Sequence, residues 1–357
     1  MSDRMTSDCL DIDNGATNGQ RVLMIYTGGT LGMRIDPDRN ALMPFDFSQI
    51  LKEVPEIKKL DMNISVISLE PLIDSANMNS TIWVEIAEII EKHYEEFSGF
   101  VILHGTDTMA YSASALSFLL ENLGKPVVFT GAQLPIGSIR NDARVNLMTA
   151  LQIAATTVDG APAVPEVSIC FNSLLLRGNR SKKVESQQFD AFKSENLRPL
   201  AEIGVHIDFD HRLIRKQAGQ FKVYKALEEE VVIIKLFPGI KEKYVSQLLA
   251  TPGLRGVVLE TFGAGNVMDD SWLKRVLTAA IEKNIILLNV SQCDSGHVIH
   301  GMYASGQYLE EIGVVSGSDM TLEAAITKLQ FALANVDEPD RVAFLKSSAR
   351  GELSAAL

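Results

Sequence analysis

The segment Val101-Ile102-Leu103-His104-Gly105-Thr106-Asp107-Thr108 decides the fold. An apolar run stops at a glycine, and hydroxyl, carboxylate and hydroxyl side chains follow in succession. From Met109 to Leu120, residues Ala110, Ala113, Leu116 and Leu120 recur at helical spacing, which predicts a helix. Thr106 and Asp107 therefore stand at the C-terminal end of a buried strand, just before a helix N-terminus. In an open α/β sheet that edge binds ligands. A helix start adds unpaired backbone N–H groups and a positive partial charge. Taken alone, the Thr-Asp pair reads first as a helix cap, a position both residue types favour.

A second segment has the same grammar. Arg21-Val22-Leu23-Met24-Ile25-Tyr26 is strand-like and ends in Thr27-Gly28-Gly29-Thr30-Leu31-Gly32. Adjacent glycines allow a tight turn and a close approach by a ligand. They leave the Thr30 hydroxyl on that turn. Neither nucleotide-binding pattern, G-x-G-x-x-G or G-x-x-x-x-G-K-[ST], occurs here. Two strand ends followed by threonine chemistry suggest one site built from both.

Working outward, strand-like and helix-like segments alternate. Thr81–Phe97 carries Ile82, Ile86, Ile89, Ile90 and Tyr94 at helical spacing, and Phe100–Leu103 follows as a strand. Val127–Thr130 and Val167–Phe171 read as strands on either side of a helix over Arg140–Thr156. Short apolar β-branched runs between helices indicate a mainly parallel sheet covered on both faces. Between 206 and 230 the chain turns polar and loses periodicity. A second series begins with strands at Val231–Leu236, Gly256–Glu260 and Ile285–Val290. Helices at Val245–Leu249 and Ser271–Glu282 lie between them, and Thr321–Leu333 is the last helix. The expected fold class is α/β with two domains: a tail over 1–20, a larger N-terminal domain over 21–205, a linker over 206–230 and a smaller C-terminal domain over 231–357.

Composition narrows the functional classes. The 357 residues carry a formal net charge of −12, which argues against a basic nucleic-acid surface. The three cysteines, Cys9, Cys170 and Cys293, are too few and too scattered for a disulfide scaffold, so a reducing compartment is expected. Residues 1–20 lack the apolar core of a secretory signal and read as a disordered tail. No apolar run approaches the ~18 residues of a membrane span. The pair His297-x-x-His300 follows a glycine in an extended stretch, and no metal site or cofactor is expected. The serine-hydrolase elbow G-x-S-x-G is absent.

A hydroxyl nucleophile needs a proton route and a site for the oxyanion it generates. A threonine hydroxyl is weak at its own pKa and needs an adjacent base. Lysine can serve where desolvation or neighbouring cations favour the neutral amine. Lys182 and Lys183, after Arg177-Gly178-Asn179-Arg180, are the candidates, although such a cluster is usually a solvated basic loop.

Ile25-Tyr26-Thr27-Gly28-Gly29-Thr30-Leu31-Gly32-Met33 and His104-Gly105-Thr106-Asp107-Thr108-Met109-Ala110-Tyr111 resemble the two signature segments of bacterial-type L-asparaginases, closest to the cytoplasmic type I branch. The resemblance continues through Pro71–Ser75, Thr130–Pro135, Arg177–Arg180, Phe189–Phe192 and Phe262–Asn266 to Arg350–Leu353, and so covers about 21–353. It implies the same two-domain arrangement and an L-asparagine amidohydrolase releasing L-aspartate and ammonia. It implies Thr30 as the acyl-forming nucleophile, with Thr106, Asp107 and Lys183 handling protons. Asp107 would also bind the substrate α-ammonium. Asp74, Ser75 and Ala76 would hold the α-ends, and Ala132, beside Gly131, would present backbone groups to the amide. Asn266 would reach a neighbouring subunit's site in a homodimer or homotetramer, although Gly-Asn is also a common turn.

Two departures stand out. Many relatives carry a tyrosine in the loop after the nucleophile, whereas Arg39-Asn40-Ala41-Leu42-Met43-Pro44 has none. Tyr26, on the strand before the glycines, is not an obvious substitute. Relatives regulated by a second asparagine carry an arginine where this chain has Glu260. Other function classes remain: an ammonia-releasing amidotransferase component, whose usual extra N-terminal domain residues 1–20 are too few to supply, and a non-catalytic amino-acid sensor.

Overall fold

The computed structural model describes residues 5–6, 9–36, 41–44, 52–301 and 304–354. They fall into two compact units, one over 1–194 and 198–225, the other over 195–197 and 226–357.

The first unit is built on a ten-stranded sheet. Its centre consists of β1 (Arg21–Tyr26), β2 (Asn63–Glu70), β3 (Gly99–Leu103), β4 (Val127–Thr130) and β5 (Val167–Phe171), in the spatial order β2-β1-β3-β4-β5. All four pairings are parallel. Antiparallel strands extend both sides: Leu174–Arg177, Ala201–Ile203 and Ile207–Phe209 beyond β5, and Met5–Thr6 and Leu10–Ile12 against β2. The strands are apolar without alternation because both faces are covered. Val22, Met24 and Tyr26 pack with Val101, Leu103 and Val128 against Leu147, Ala150 and Leu151 of the helix Ala143–Ala155. Leu23 and Ile25 are fully buried on the opposite face. The helix Ser80–His93 begins where the Asn79 side chain accepts from the Ile82 N–H at 3.1 Å, an N-cap that satisfies one free donor. The helix Met109–Leu119 is buried over ten of its eleven residues, so serine and alanine replace the larger apolar residues of an amphipathic helix.

Residues 9–20 differ from the expected tail. Leu10–Ile12 pairs with β2, and the Asn14 side chain donates to the carbonyls of Ile57 and Met62 at 2.9 Å each. Most of their side chains face water at this sheet edge, while Ile12 enters the core and strand pairing with the Asn14 side-chain bonds fixes the chain. The 206–230 segment, expected as a linker, carries strands at Ile207–Phe209 and Lys222–Val223 within the first unit.

The second unit has a four-stranded parallel sheet of Val231–Lys235, Gly256–Thr261, Ile286–Ser291 and Val315–Ser316. Helices Glu242–Leu249, Ser271–Ile281 and Leu322–Asn335 accompany it. Its core includes Leu236, Val257, Leu259, Leu273, Leu277 and Leu287. No helix among the described residues is long and apolar enough to cross a membrane.

Candidate active site

Strand order places the site. From β1 the chain goes to β2 on one side and then to β3 on the other, which makes the carboxyl ends of β1 and β3 the topological switch point. Register brings the strand ends level: Tyr26 stands opposite Leu103, and Leu103 opposite Thr130. The ladder runs one residue further. The Thr27 N–H donates to the Leu103 carbonyl and the His104 N–H to the Thr130 carbonyl, both at 3.0 Å. Three turns, beginning at Thr27, His104 and Gly131, therefore leave one edge side by side. A fourth segment joins them, since the Ile73 N–H donates to the Thr27 carbonyl at 2.7 Å.

Glycine makes this convergence possible. A Cβ on Gly28 would lie 2.3 Å from the Ile73 carbonyl oxygen, and one on Gly29 would lie 2.5 Å from the Gly105 nitrogen. A Cβ on Gly105 would meet Ser75 Oγ at 2.6 Å. Gly28 and Gly29 also hold φ of +130° and +95°, a region closed to most side chains. Thr30 follows immediately, half-buried, at the start of the 3-10 turn Thr30–Gly32.

Thr106, Asp107 and Lys183 come together. Lys183 Nζ donates to Thr106 Oγ1 at 2.8 Å and to Asp107 Oδ1 at 2.7 Å. Asp107 is 68% exposed on its side chain and Lys183 16%, so the pair opens to solvent on the carboxylate side. Lys183 lies on the two-residue strand Lys182–Lys183. Strand alternation sends Lys182 to the opposite face. The charge in contact with Lys183 is the Asp107 carboxylate. The preceding turn is anchored by a buried ion pair, Arg177 Nε to Glu166 Oε2 at 2.6 Å, and by the Ser181 hydroxyl donating to the Arg177 carbonyl at 2.7 Å.

Asp74 accepts from the Ala76 N–H at 3.0 Å and caps the short turn Ser75–Asn77. Ser75 is buried, and its carbonyl accepts from the Thr108 hydroxyl at 2.7 Å. Ala132 is buried just past β4. Asn266 belongs to the second unit, where its side chain accepts from the Val267 N–H at 2.9 Å within a turn closed by Phe262. Cys170 is buried, which pushes its thiol up to about 12, whereas Cys293 is exposed. His300 pairs with the Asn289 amide at 3.0 Å. Of the loop after Thr30, Arg39 and Asn40 lie outside the described residues, and Ala41–Pro44 pairs with Met33–Asp36.

Sequence reasoning gave no role to Gln133 or His104. The Thr106 hydroxyl donates to Gln133 Oε1 at 3.3 Å, and Gln133 Nε2 donates to the Gln188 carbonyl at 3.0 Å. The signal was its position three residues past a strand end. His104 is fully buried and bonded at both ring nitrogens. Nδ1 contacts the Gly105 carbonyl at 2.6 Å, so it carries the proton, because a carbonyl can only accept. Nε2 then accepts from the Ser112 hydroxyl at 2.8 Å, and Ser112 accepts from Trp83 Nε1–H at 2.8 Å. Burial pushes this imidazole down to about 4, against the opposing pull of the Gly105 carbonyl.

Fold and site define a class: an α/β enzyme with two hydroxyl-bearing strand ends and a lysine–carboxylate pair at a sheet's switch point, chemistry suited to hydrolysing an amide. The asparaginase N-terminal model matches residues 21–215, and the glutaminase/asparaginase C-terminal domain matches residues 230–345. The chain belongs to the asparaginase family. It is 38% identical to L-asparaginase 1 of Escherichia coli K12, over 93% of this chain and 98% of that one. It is 41% identical to the 60 kDa lysophospholipase of Mus musculus over 94% of this chain, but spans only 63% of that longer protein. The solved structure of L-asparaginase I from Vibrio cholerae superposes with a TM-score of 0.84 at 38% identity, covering 94% of this chain and all of that one.

Proposed function

We propose that the chain hydrolyses L-asparagine to L-aspartate and ammonia through an acyl-enzyme on Thr30. The observation that carries this reading is the contact of Lys183 Nζ with both Thr106 Oγ1 and Asp107 Oδ1, at 2.8 and 2.7 Å, at the sheet edge that also presents Thr30. Asp107 offers exposed carboxylate to the substrate α-ammonium. Asp74, Ser75 and Ala76 hold the α-ends, and the backbone at Gly131-Ala132 faces the carboxamide. Thr30 Oγ attacks the carboxamide carbon. The C–N bond breaks, and the threonine proton, carried by Thr106 and Lys183, ends on the departing ammonia. Water then cleaves the ester, giving aspartate and restoring the Thr30 hydroxyl. No cofactor enters this sequence.

The assembly is a homodimer or homotetramer in which Asn266 approaches a neighbouring subunit's site. Three unpaired cysteines fit a cytoplasmic setting. Ammonia release from asparagine by the purified chain, followed with a coupled assay, tests the reading. Release comparable to that of a working asparaginase supports it. Ammonia appearing only with an acceptor protein would make the chain an amidotransferase component, and asparagine binding without any release would make it a sensor.

A further inference from the structure

Thr30 opens a short turn, and Tyr26 contacts the far end of that turn. Tyr26 is the last residue of β1 and is 1% exposed. Its hydroxyl donates to the Gly32 carbonyl at 3.1 Å, so a single side chain spans the whole segment Thr27–Leu31 from strand end to turn end. The two groups are fitted to each other. A Cβ on Gly32 would lie 1.9 Å from the phenol oxygen and 2.5 Å from the ring carbon that bears it, and position 32 has to be glycine for the phenol to reach. Among the described residues the turn is also held by the Gly32 N–H, which donates to the Gly29 carbonyl at 3.3 Å, and by the Ile136 N–H, which donates to the Leu31 carbonyl at 3.4 Å. The two glycines before Thr30 are conformationally permissive, so the turn needs an external brace to hold one geometry.

We infer that Tyr26 is a positioning residue for Thr30, its phenol holding the 30–32 turn so that the threonine hydroxyl points at the substrate carbonyl. This rests on Thr30 being the nucleophile. The phenol does not exchange protons in this role. Burial pushes its pKa well above the ordinary tyrosine value, so it stays a donor throughout the working range.

The test is Tyr26→Phe in the full chain, with Gly32→Ala as a second variant that crowds the phenol without removing it. The expected result is kcat lowered roughly tenfold to a hundredfold, the scale of a misplaced reacting group. KM for asparagine should stay within about twofold, because the substrate-holding residues lie on other segments. The pH profile of kcat should drop in height and keep its shape. A diazoketone analogue of asparagine, read by intact mass and peptide mapping, should label Thr30 more slowly in both variants. Labelling of Thr30 at the wild-type rate with unchanged kcat would overturn the role of Tyr26, whatever happens to thermal stability. A shifted alkaline limb in Tyr26→Phe would overturn it in favour of proton transfer. A label on another residue would remove Thr30 as nucleophile, an outcome separate from the first two.

Discussion

At the scale of single residues, chemistry concentrates on side chains whose neighbours leave them little freedom. Thr106 is clamped between Lys183 and Gln133, and the turn that Thr30 opens is bonded back to β1 through Gly32 and Tyr26. We expect Thr30→Ala and Thr106→Ala each to remove several orders of magnitude in kcat while the chain stays folded. The double variant should be little worse than either single one, because members of one catalytic unit are non-additive. Steady-state rates and a thermal melt check both halves, and near-wild-type turnover in Thr30→Ala would sink the nucleophile assignment. His104 gives a second expectation. Its folded pKa of about 4 lies below the unfolded value near 6.5, so the unfolded chain takes up the proton first as pH falls. Stability is therefore full above about pH 6.5 and declines toward pH 4 by about 3 kcal/mol in total, with about 2 kcal/mol lost by pH 5. Urea unfolding at pH 7 and pH 5 reads this, and a folded His104→Gln variant should lose that part of the slope. Thr30, Thr106 and Asp107 stand out in the sequence because hydroxyl and charged residues end apolar runs there, whereas Lys183 is separated from Lys182 only by the family resemblance. His104 and Gln133 do not stand out, since a bonded buried histidine and a solvated one look alike in a sequence.

At the scale of elements, the site is a meeting of turns, and glycine sets how closely they meet. The Gly29 backbone lies against Gly105, and Gly105 against Ser75, with no room for a methyl group at either. Gly29→Ala should therefore combine φ strain with a backbone collision that no rotamer can relieve. We expect a loss of about 2–3 kcal/mol in stability and a drop of about 100-fold or more in kcat/KM. Gly160→Ala separates the two effects. Its φ is +79° but a Cβ there meets nothing within 4 Å, so it should cost about 1 kcal/mol and leave kcat unchanged. The same convergence predicts specificity. With Asp74, Ser75 and Asp107 fixing the α-ends, the extra methylene of glutamine moves the carboxamide by over ~1 Å, enough to lower kcat/KM by about 100-fold. Equal kcat/KM for asparagine and glutamine would contradict this placement. The strand–turn–helix order was readable from periodicity, because strands covered on both faces are apolar throughout. Contacts between Gly29 and Gly105 were not, as they depend on register between β1 and β3.

At the scale of the molecule, two α/β series were evident in the sequence, while the sheet's antiparallel flanks were not. Leu10–Ile12 and Ile207–Phe209 are three residues each, too short to show a period, and only pairing with a neighbour makes them strands. Buried charge escaped in the same way. Lys328 interrupts the apolar face of the last long helix, yet both it and Glu352 are fully buried, paired at 2.5 Å. A burial pattern inferred from hydrophobicity cannot see a lysine whose charge is met inside the fold. Regulation is the remaining property that depends on the whole chain. Relatives that respond to a second asparagine place a cation where this chain has Glu260, a residue 11% exposed on its side chain with Lys235 Nζ at 3.6 Å. A carboxylate there repels the carboxylate of an incoming asparagine. Lys235 offsets part of that charge. A ligand shifts a conformational population only by its differential affinity for the two states, and repulsion at Glu260 lowers that difference. Initial rates over a wide asparagine range should therefore be hyperbolic or only weakly cooperative. Substituting Glu260→Arg should raise the Hill coefficient if the rest of an effector site is in place. A wild-type Hill coefficient well above ~1.5, approaching the number of sites, would mean that effector binding survives through other residues and that Glu260 does not govern it.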